Sequence, residues 1–145
     1  MLHQLTIAFI GAGMMGEAMI AGLLKEQLVP AERIIATGRR GERLDELHAR
    51  FGIRVTNDNR EAAHDADVIV FSLKPQTLPK VLPGLKGAIH PGNLVISIIA
   101  GATIAAFRDT LVHAAIVRSM PNTPSQIAQG MTVWTATEAV TEQQR

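Results

Sequence analysis

The stretch Thr6-Ile7-Ala8-Phe9-Ile10-Gly11-Ala12-Gly13-Met14-Met15-Gly16 constrains this chain more than any other. It has the form of a short apolar strand, a glycine turn and a helix start. Gly11, Gly13 and Gly16 match the G-x-G-x-x-G spacing. Gly11 lets the chain leave the strand in a tight turn. Gly13 lets a pyrophosphate approach the backbone without meeting a β-carbon. Gly16 lets the helix pack closely on the strand. The helix N-terminus then presents free N–H groups and the positive end of its dipole to the phosphates. Three glycines at these spacings, flanked by the required strand and helix, favour this reading over an ordinary strand-to-helix turn.

Strand and helix patterns alternate beyond it. The first strand runs from about Leu5 to Ile10 and its helix from about Met14 to Gln27, with Met15, Ala18, Met19, Gly22 and Leu23 at helical spacing. A second strand is expected near Arg33–Thr37. A charged helix follows near Glu42–Phe51, with Gly52 suited to its C-terminal cap. A short third strand is expected near Ile53–Val55 and a small helix near Asn59–His64. Asp67–Ser72 is a continuous apolar run, as in a parallel strand buried on both faces. Pro79 and Pro83 make any helix in Gln76–Leu85 short or broken. A fifth strand near Asn93–Ile98, a helix near Thr103–Leu111 and a sixth strand near Ala114–Arg118 continue the pattern. Gly130–Trp134 offers a seventh strand. The polar tail Thr137–Arg145 begins to resemble a helix, with Thr141 as a possible cap. The alternation predicts an α/β fold, a doubly wound parallel sheet of the Rossmann type covered on both faces. Residues 1–136 would form the dinucleotide-binding domain, and residues 137–145 the start of a truncated final helix or a linker.

The cofactor is read from the end of the second strand. NAD-binding domains usually place a carboxylate there, about 20 residues after the glycine turn, to hold the ribose 2′-hydroxyl. Here the sequence is Thr37-Gly38-Arg39-Arg40. Two guanidinium groups, each able to donate paired charge-assisted hydrogen bonds, suit a 2′-phosphate. NADP(H) is therefore preferred over NAD(H). A solvated basic turn is the plainer alternative. In register with the glycine turn, the functional reading takes precedence.

Bulk properties exclude several other classes. The 145 residues are 47% hydrophobic and 19% charged, enough for one globular domain. A net charge of +1 gives no reason to expect nucleic acid or an anionic membrane as partner. The chain has no cysteine, which excludes disulfides and thiolate chemistry. Met1-Leu2-His3-Gln4 lacks the features of a signal peptide, and no apolar run is long enough for a membrane helix. A cytoplasmic protein is expected. The histidines at 3, 48, 64, 90 and 113 show no metal-ligand spacing.

Three later segments join the glycine motif: Ser72-Leu73-Lys74-Pro75-Gln76, Ser97-Ile98-Ile99-Ala100-Gly101 and Arg118-Ser119-Met120-Pro121-Asn122-Thr123-Pro124. Each falls at the C-terminal end of a predicted strand. Together with Phe9–Gly16 they resemble pyrroline-5-carboxylate reductase, over essentially the whole chain. The resemblance implies reduction of 1-pyrroline-5-carboxylate, a small imino acid, to L-proline with NAD(P)H. It implies cofactor contacts at Ile10, Gly11, Ala12, Gly13, Met14, Met15 and Gly16. Thr37, Arg39 and Arg40 would sit by the adenosine ribose and its 2′-phosphate, and Asn59 by the adenosine. Ser72, Leu73, Lys74 and Pro75 would line the cofactor near the nicotinamide ribose. Ala100, Met120, Pro121, Asn122 and Thr123 would approach the nicotinamide and substrate.

The resemblance also implies a following all-helical domain that forms a homo-oligomer, completes the substrate pocket and supplies the proton donor. No catalytic residue is therefore assigned within this chain, and Lys74 is read as an anchor or ribose contact. Asn122 and Thr123 could equally cap a proline-bounded turn. Arg118 could pair with a carboxylate in either a substrate or a structural role. Two rival readings remain: a relative on the same scaffold, such as a β-hydroxyacid dehydrogenase or a deazaflavin-dependent NADP reductase, and a non-catalytic nucleotide-binding module.

Overall fold

The computed structural model describes residues 2–121 and 132–144, with side chains for all of these except 120, 121 and 132–134. The first strand, β1 (Ile7–Ile10), is buried along its whole length. It leads through the glycine turn into α1 (Met14–Lys25). β2 (Ile34–Thr37) is equally buried and leads into α2 (Gly41–Phe51), which ends on Gly52 in the left-handed region at φ 73°. The remaining elements are β3 (Arg54–Thr56), α3 (Asn59–Asp65), β4 (Val68–Phe71), α4 (Leu78–Val81), β5 (Leu94–Ser97), α5 (Ile104–Leu111), β6 (Ile116–Pro121) and β7 (Thr132–Ala136). The two prolines limit α4 to one turn followed by a 3-10 turn, as expected.

The strands form one sheet in the order β3-β2-β1-β4-β5-β6-β7. β1 to β6 are mutually parallel. β7 runs antiparallel to β6. Ten residues separate Pro121 from Thr132, fewer than the dozen or more that a parallel crossover requires. The order reverses between β1 and β4, the switch point of a doubly wound sheet.

Alternation along each strand divides the core between the faces. On one face Ala8, Ile10, Ile69, Phe71, Val95 and Ile116 pack against residues of α3, α4 and α5. Phe71 and Phe107 meet edge to face, with ring centroids 5.1 Å apart. On the other face Ile7, Phe9, Ile34, Ala36 and Val70 pack beneath α1 and α2, through Ile20 and Leu47. Cover on this second face is uneven. Over β5 and β6, among the described residues, a smaller cluster of Leu94, Ala115 and Val117 closes against Val140 of the tail rather than against a helix.

The tail itself is turned rather than helical over the described residues. Thr141 nevertheless forms a capping box. Its Oγ1 accepts from the Gln144 amide at 3.2 Å, and Gln144 Oε1 accepts from the Thr141 amide at 3.0 Å. Thr137 pins the tail to β6: its hydroxyl donates to the Ala114 carbonyl at 2.6 Å and accepts from the Ile116 amide at 3.1 Å.

Candidate functional site: a dinucleotide cradle at the switch point

The strand registers align Ile10, Phe71, Ser97 and Arg118 along the C-terminal edge of the sheet. Four loops leave this edge: the glycine turn, Gly38–Arg40, Ser72–Pro75 and Ile98–Gly101. The topology thus gathers every sequence-predicted segment before residue 118 at one end of the molecule. Met120 and Pro121 extend β6 at the same end; their side chains are not described. Asn122 and Thr123 lie outside the described residues.

The glycine turn is held from both sides. The Gly11 amide donates to Thr37 Oγ1 at 3.0 Å, and the Ala12 amide donates to the Thr37 carbonyl at 2.9 Å. On the other side the Ser72 hydroxyl donates to the Gly11 carbonyl, and the Ser72 amide donates to the Ile10 carbonyl at 3.0 Å. Thr37 and Ser72 are both buried. Their hydroxyls shape the turn through Gly11.

The three glycines have separable reasons. Gly11 has φ +85°, and a β-carbon there would clash with Leu73 Cδ2. A β-carbon on Gly16 would stand 2.8 Å from Ser72 Oγ, so the close packing of α1 is onto the end of β4. Gly13 has an ordinary extended backbone, φ −77° and ψ −176°, and is exposed. A β-carbon there would meet only the Ser72 carbonyl, at 3.2 Å. Its backbone conformation does not require glycine, which matches the role of keeping a surface open to a ligand. Gly13 is also the N-cap of α1 and contributes no side-chain cap, so the first-turn N–H donors of this 12-residue helix face outward. Met14, the first residue of the helix, is 77% exposed.

Arg39 and Arg40 are exposed at the end of β2, and among the described residues neither forms an ion pair. Asn59 opens α3, half-buried, beside Asp58, whose Oδ1 caps the helix by accepting from the Arg60 and Glu61 amides at 3.0 and 3.1 Å. A groove separates this helix start from Lys80, Val81 and Gly84. It is braced by Arg60, which donates to the Gly84 and Lys86 carbonyls at 2.6 and 3.1 Å. Lys74 and Pro75 are exposed, and the Lys74 carbonyl accepts from the Thr77 amide at 2.9 Å to close a turn. Leu73 is half-buried against Gly11, and Ala100 is exposed. Ser97, fully buried, accepts from the Ile99 amide at 3.2 Å and so shapes the loop that presents Ala100. Arg118 Nε is buried and has no hydrogen-bond partner among the described residues.

One feature escaped the sequence reading. Glu17, in the first turn of α1, receives Arg43 Nη2 at 2.5 Å and also pairs with Arg50 Nη1. Both guanidiniums come from α2. The hydrogen bond and charge of Arg43 hold the Glu17 carboxyl below its ordinary range, with Arg50 adding to the effect and partial burial opposing it. The Arg43 guanidinium is pushed up by the same bond. Charges on separate helices, 26 and 33 residues apart in sequence, leave no local signal by which to find the pairing.

A parallel sheet with a glycine turn at its switch point, pinned there by two buried hydroxyls and opening on an uncapped helix, defines a dinucleotide-binding domain of the Rossmann type. The family described as NADP oxidoreductase, coenzyme F420-dependent, matches residues 6–101, and the chain belongs to it. Over a longer interval the chain is similar to pyrroline-5-carboxylate reductases. It is 44% identical to that of Vibrio alginolyticus over 137 residues, covering 94% of this chain and 50% of the relative. The solved pyrroline-5-carboxylate reductase from Coxiella burnetii superposes with a TM-score of 0.90 at 37% identity, covering 97% of this chain and 52% of that one. The Plasmodium falciparum pyrroline carboxylate reductase with NADP bound has the same fold, with a TM-score of 0.87 at 24% identity over 99% of this chain and 52% of that one. The chain spans about half the length of the curated relatives it matches. The resemblance drawn from the strand-end segments is borne out. Among the described residues no helix is long and apolar enough to cross a membrane.

Proposed function

We propose that this chain is the cofactor-binding part of a cytoplasmic pyrroline-5-carboxylate reductase, which reduces 1-pyrroline-5-carboxylate to L-proline and prefers NADPH to NADH. The observation that carries the reading is the alignment with such reductases over 137 residues, well past residue 101 where the broader family match ends.

The roles follow from the cradle. The glycine turn and the first-turn amides of α1 bind the pyrophosphate. Arg39 and Arg40, exposed and free of ion pairs among the described residues, hold the 2′-phosphate. Asn59 borders the adenosine. Leu73, Lys74 and Pro75 line the far ribose. Ala100 and the segment Met120–Thr123 border the nicotinamide and the imino acid. The bound nicotinamide supplies the hydride, and the protein supplies orientation and exclusion of water. A helical domain, as in the reductases resembled, would complete the imino-acid pocket and form the homo-oligomer. By itself the chain binds cofactor and turns over little or no substrate.

Fluorescence titration with NADPH and NADH tests the binding role. Arg39→Asp with Arg40→Ala should weaken NADPH binding far more than NADH binding; equal losses would refute the assignment of that turn. Reductase activity with 1-pyrroline-5-carboxylate, measured with the chain alone and after adding the second half of the Vibrio alginolyticus relative, tests the reaction. A second reading, a deazaflavin-dependent NADP reductase, is favoured by the description of the matching family. Hydride exchange between NADPH and coenzyme F420, with no imine reduction on complementation, would select it.

A further inference from the structure

The two phosphate-binding turns of the cradle are secured very differently. The pyrophosphate turn is bonded directly to the sheet, through Thr37 on one side and Ser72 on the other. The turn that carries Arg39 and Arg40 shares the Thr37 tie at its base, but among the described residues no side chain bonds it on the side of α2. Arg40 is the N-cap of α2 and its side chain makes no capping hydrogen bond. The polar tie between the start of α2 and the start of α1 is the Arg43–Glu17 pair, at 2.5 Å and with side chains only 27% and 20% exposed.

A dinucleotide phosphate has its pyrophosphate and 2′-phosphate at a separation limited by one ribose. Both turns must therefore be correctly spaced for NADPH to gain from both. NADH has no 2′-phosphate and needs only the turn already bonded to the sheet. We propose that Glu17 is a positioning residue for the 2′-phosphate: by holding Arg43 it sets the Arg39–Arg40 turn against the pyrophosphate turn, and so contributes to preference for NADPH without touching the cofactor. The proposal rests on the dinucleotide-binding role given above.

Glu17→Gln keeps the shape of the side chain and removes the charge. It should weaken NADPH binding about ten-fold, the loss expected for one charge-assisted hydrogen bond, and change NADH binding by less than about two-fold. Arg43→Gln breaks the same bond from the other side and should give the same selective loss. It serves equally if Glu17→Gln does not fold, as judged by thermal unfolding. Arg50→Gln removes the Glu17 partner at the far end of α2 and should leave the NADPH to NADH ratio unchanged. In a chain already carrying Arg39→Asp and Arg40→Ala, Glu17→Gln should have no further effect on NADPH, because the turn it positions has lost its phosphate contacts. Equal loss for both cofactors, no loss for either, or an undiminished effect in that background would each overturn the proposal. An unmodified chain that binds neither cofactor would instead overturn the dinucleotide role itself.

Discussion

The Ser72 hydroxyl oxygen lies 2.8 Å from the point at which a β-carbon on Gly16 would stand, and the same hydroxyl donates to the Gly11 carbonyl. The third glycine of the motif is thus required by a side chain from the neighbouring strand, which in turn holds the first glycine. Gly16→Ala should push Ser72 off Gly11. Overpacking and a lost buried hydrogen bond together should lower stability by about 1–3 kcal/mol. Adding Ser72→Gly removes the obstructing hydroxyl. In urea unfolding the double variant should be less destabilised than the two single losses summed; simple additivity would show that the two residues do not conflict.

Gly13 should separate folding from binding. Its backbone lies in an ordinary region, and a β-carbon would meet one carbonyl at 3.2 Å. Gly13→Ala should therefore change stability by less than about 1 kcal/mol while sharply reducing NADPH and NADH binding alike. Retained affinity, measured by fluorescence titration, would show that no ligand approaches the backbone there.

Val112 ends α5 in the left-handed region, φ 53° and ψ 52°, with its side chain 70% exposed. A β-branched residue is disfavoured in that conformation, and exposure leaves it little packing to offset the strain. Val112→Gly should raise stability by about 1 kcal/mol and leave cofactor affinity unchanged. Thermal and urea unfolding would check this; a loss of stability would mean that the side chain contributes more than its exposure implies.

The Glu17 ion pairs should appear in the pH dependence of stability. The folded-state carboxyl titrates below its ordinary value of 4.5, chiefly through the Arg43 hydrogen bond. A depressed carboxyl stabilises the fold above the unfolded-state value, and that contribution is lost as pH falls through the folded-state value. The unmodified chain should therefore exceed Glu17→Gln in stability at pH 7. The difference should shrink as the pH is lowered from about 4.5 and should not change between pH 6 and 8. A constant difference across the acid range would show that the pair contributes nothing to titration.

Much of this architecture was legible in the sequence because it is locally encoded. Apolar runs of four to six residues flanked by turn residues mark strands such as Val68–Phe71, and helical spacing marks α1 and α2. The glycine triplet signals its turn because chain geometry at Gly11, with φ +85°, admits little else. The Arg39–Arg40 turn was found by counting from that motif. The observed ends of the elements differ from the expected ones by a few residues, most at β6, which begins at Ile116 and runs to Pro121. From Val117 onward it is paired with β7, a partner that no local pattern in β6 announces.

By itself, then, the sequence determined the alternation of strands and helices, the position of the glycine turn and the identity of the loops that converge on it. These depend on spacing within windows of about ten residues, where backbone geometry and hydrophobic period act directly. Only the tertiary structure decided which side chains act on which. Thr37 and Ser72, 26 and 61 residues from Gly11, hold its amide and its carbonyl. Glu17 is shared between two arginines of another helix, and the part of the second face over β5 and β6 closes on Val140. Each of these depends on how separate elements stack on the sheet, and the distances that result are set by packing across the whole domain rather than by any local pattern.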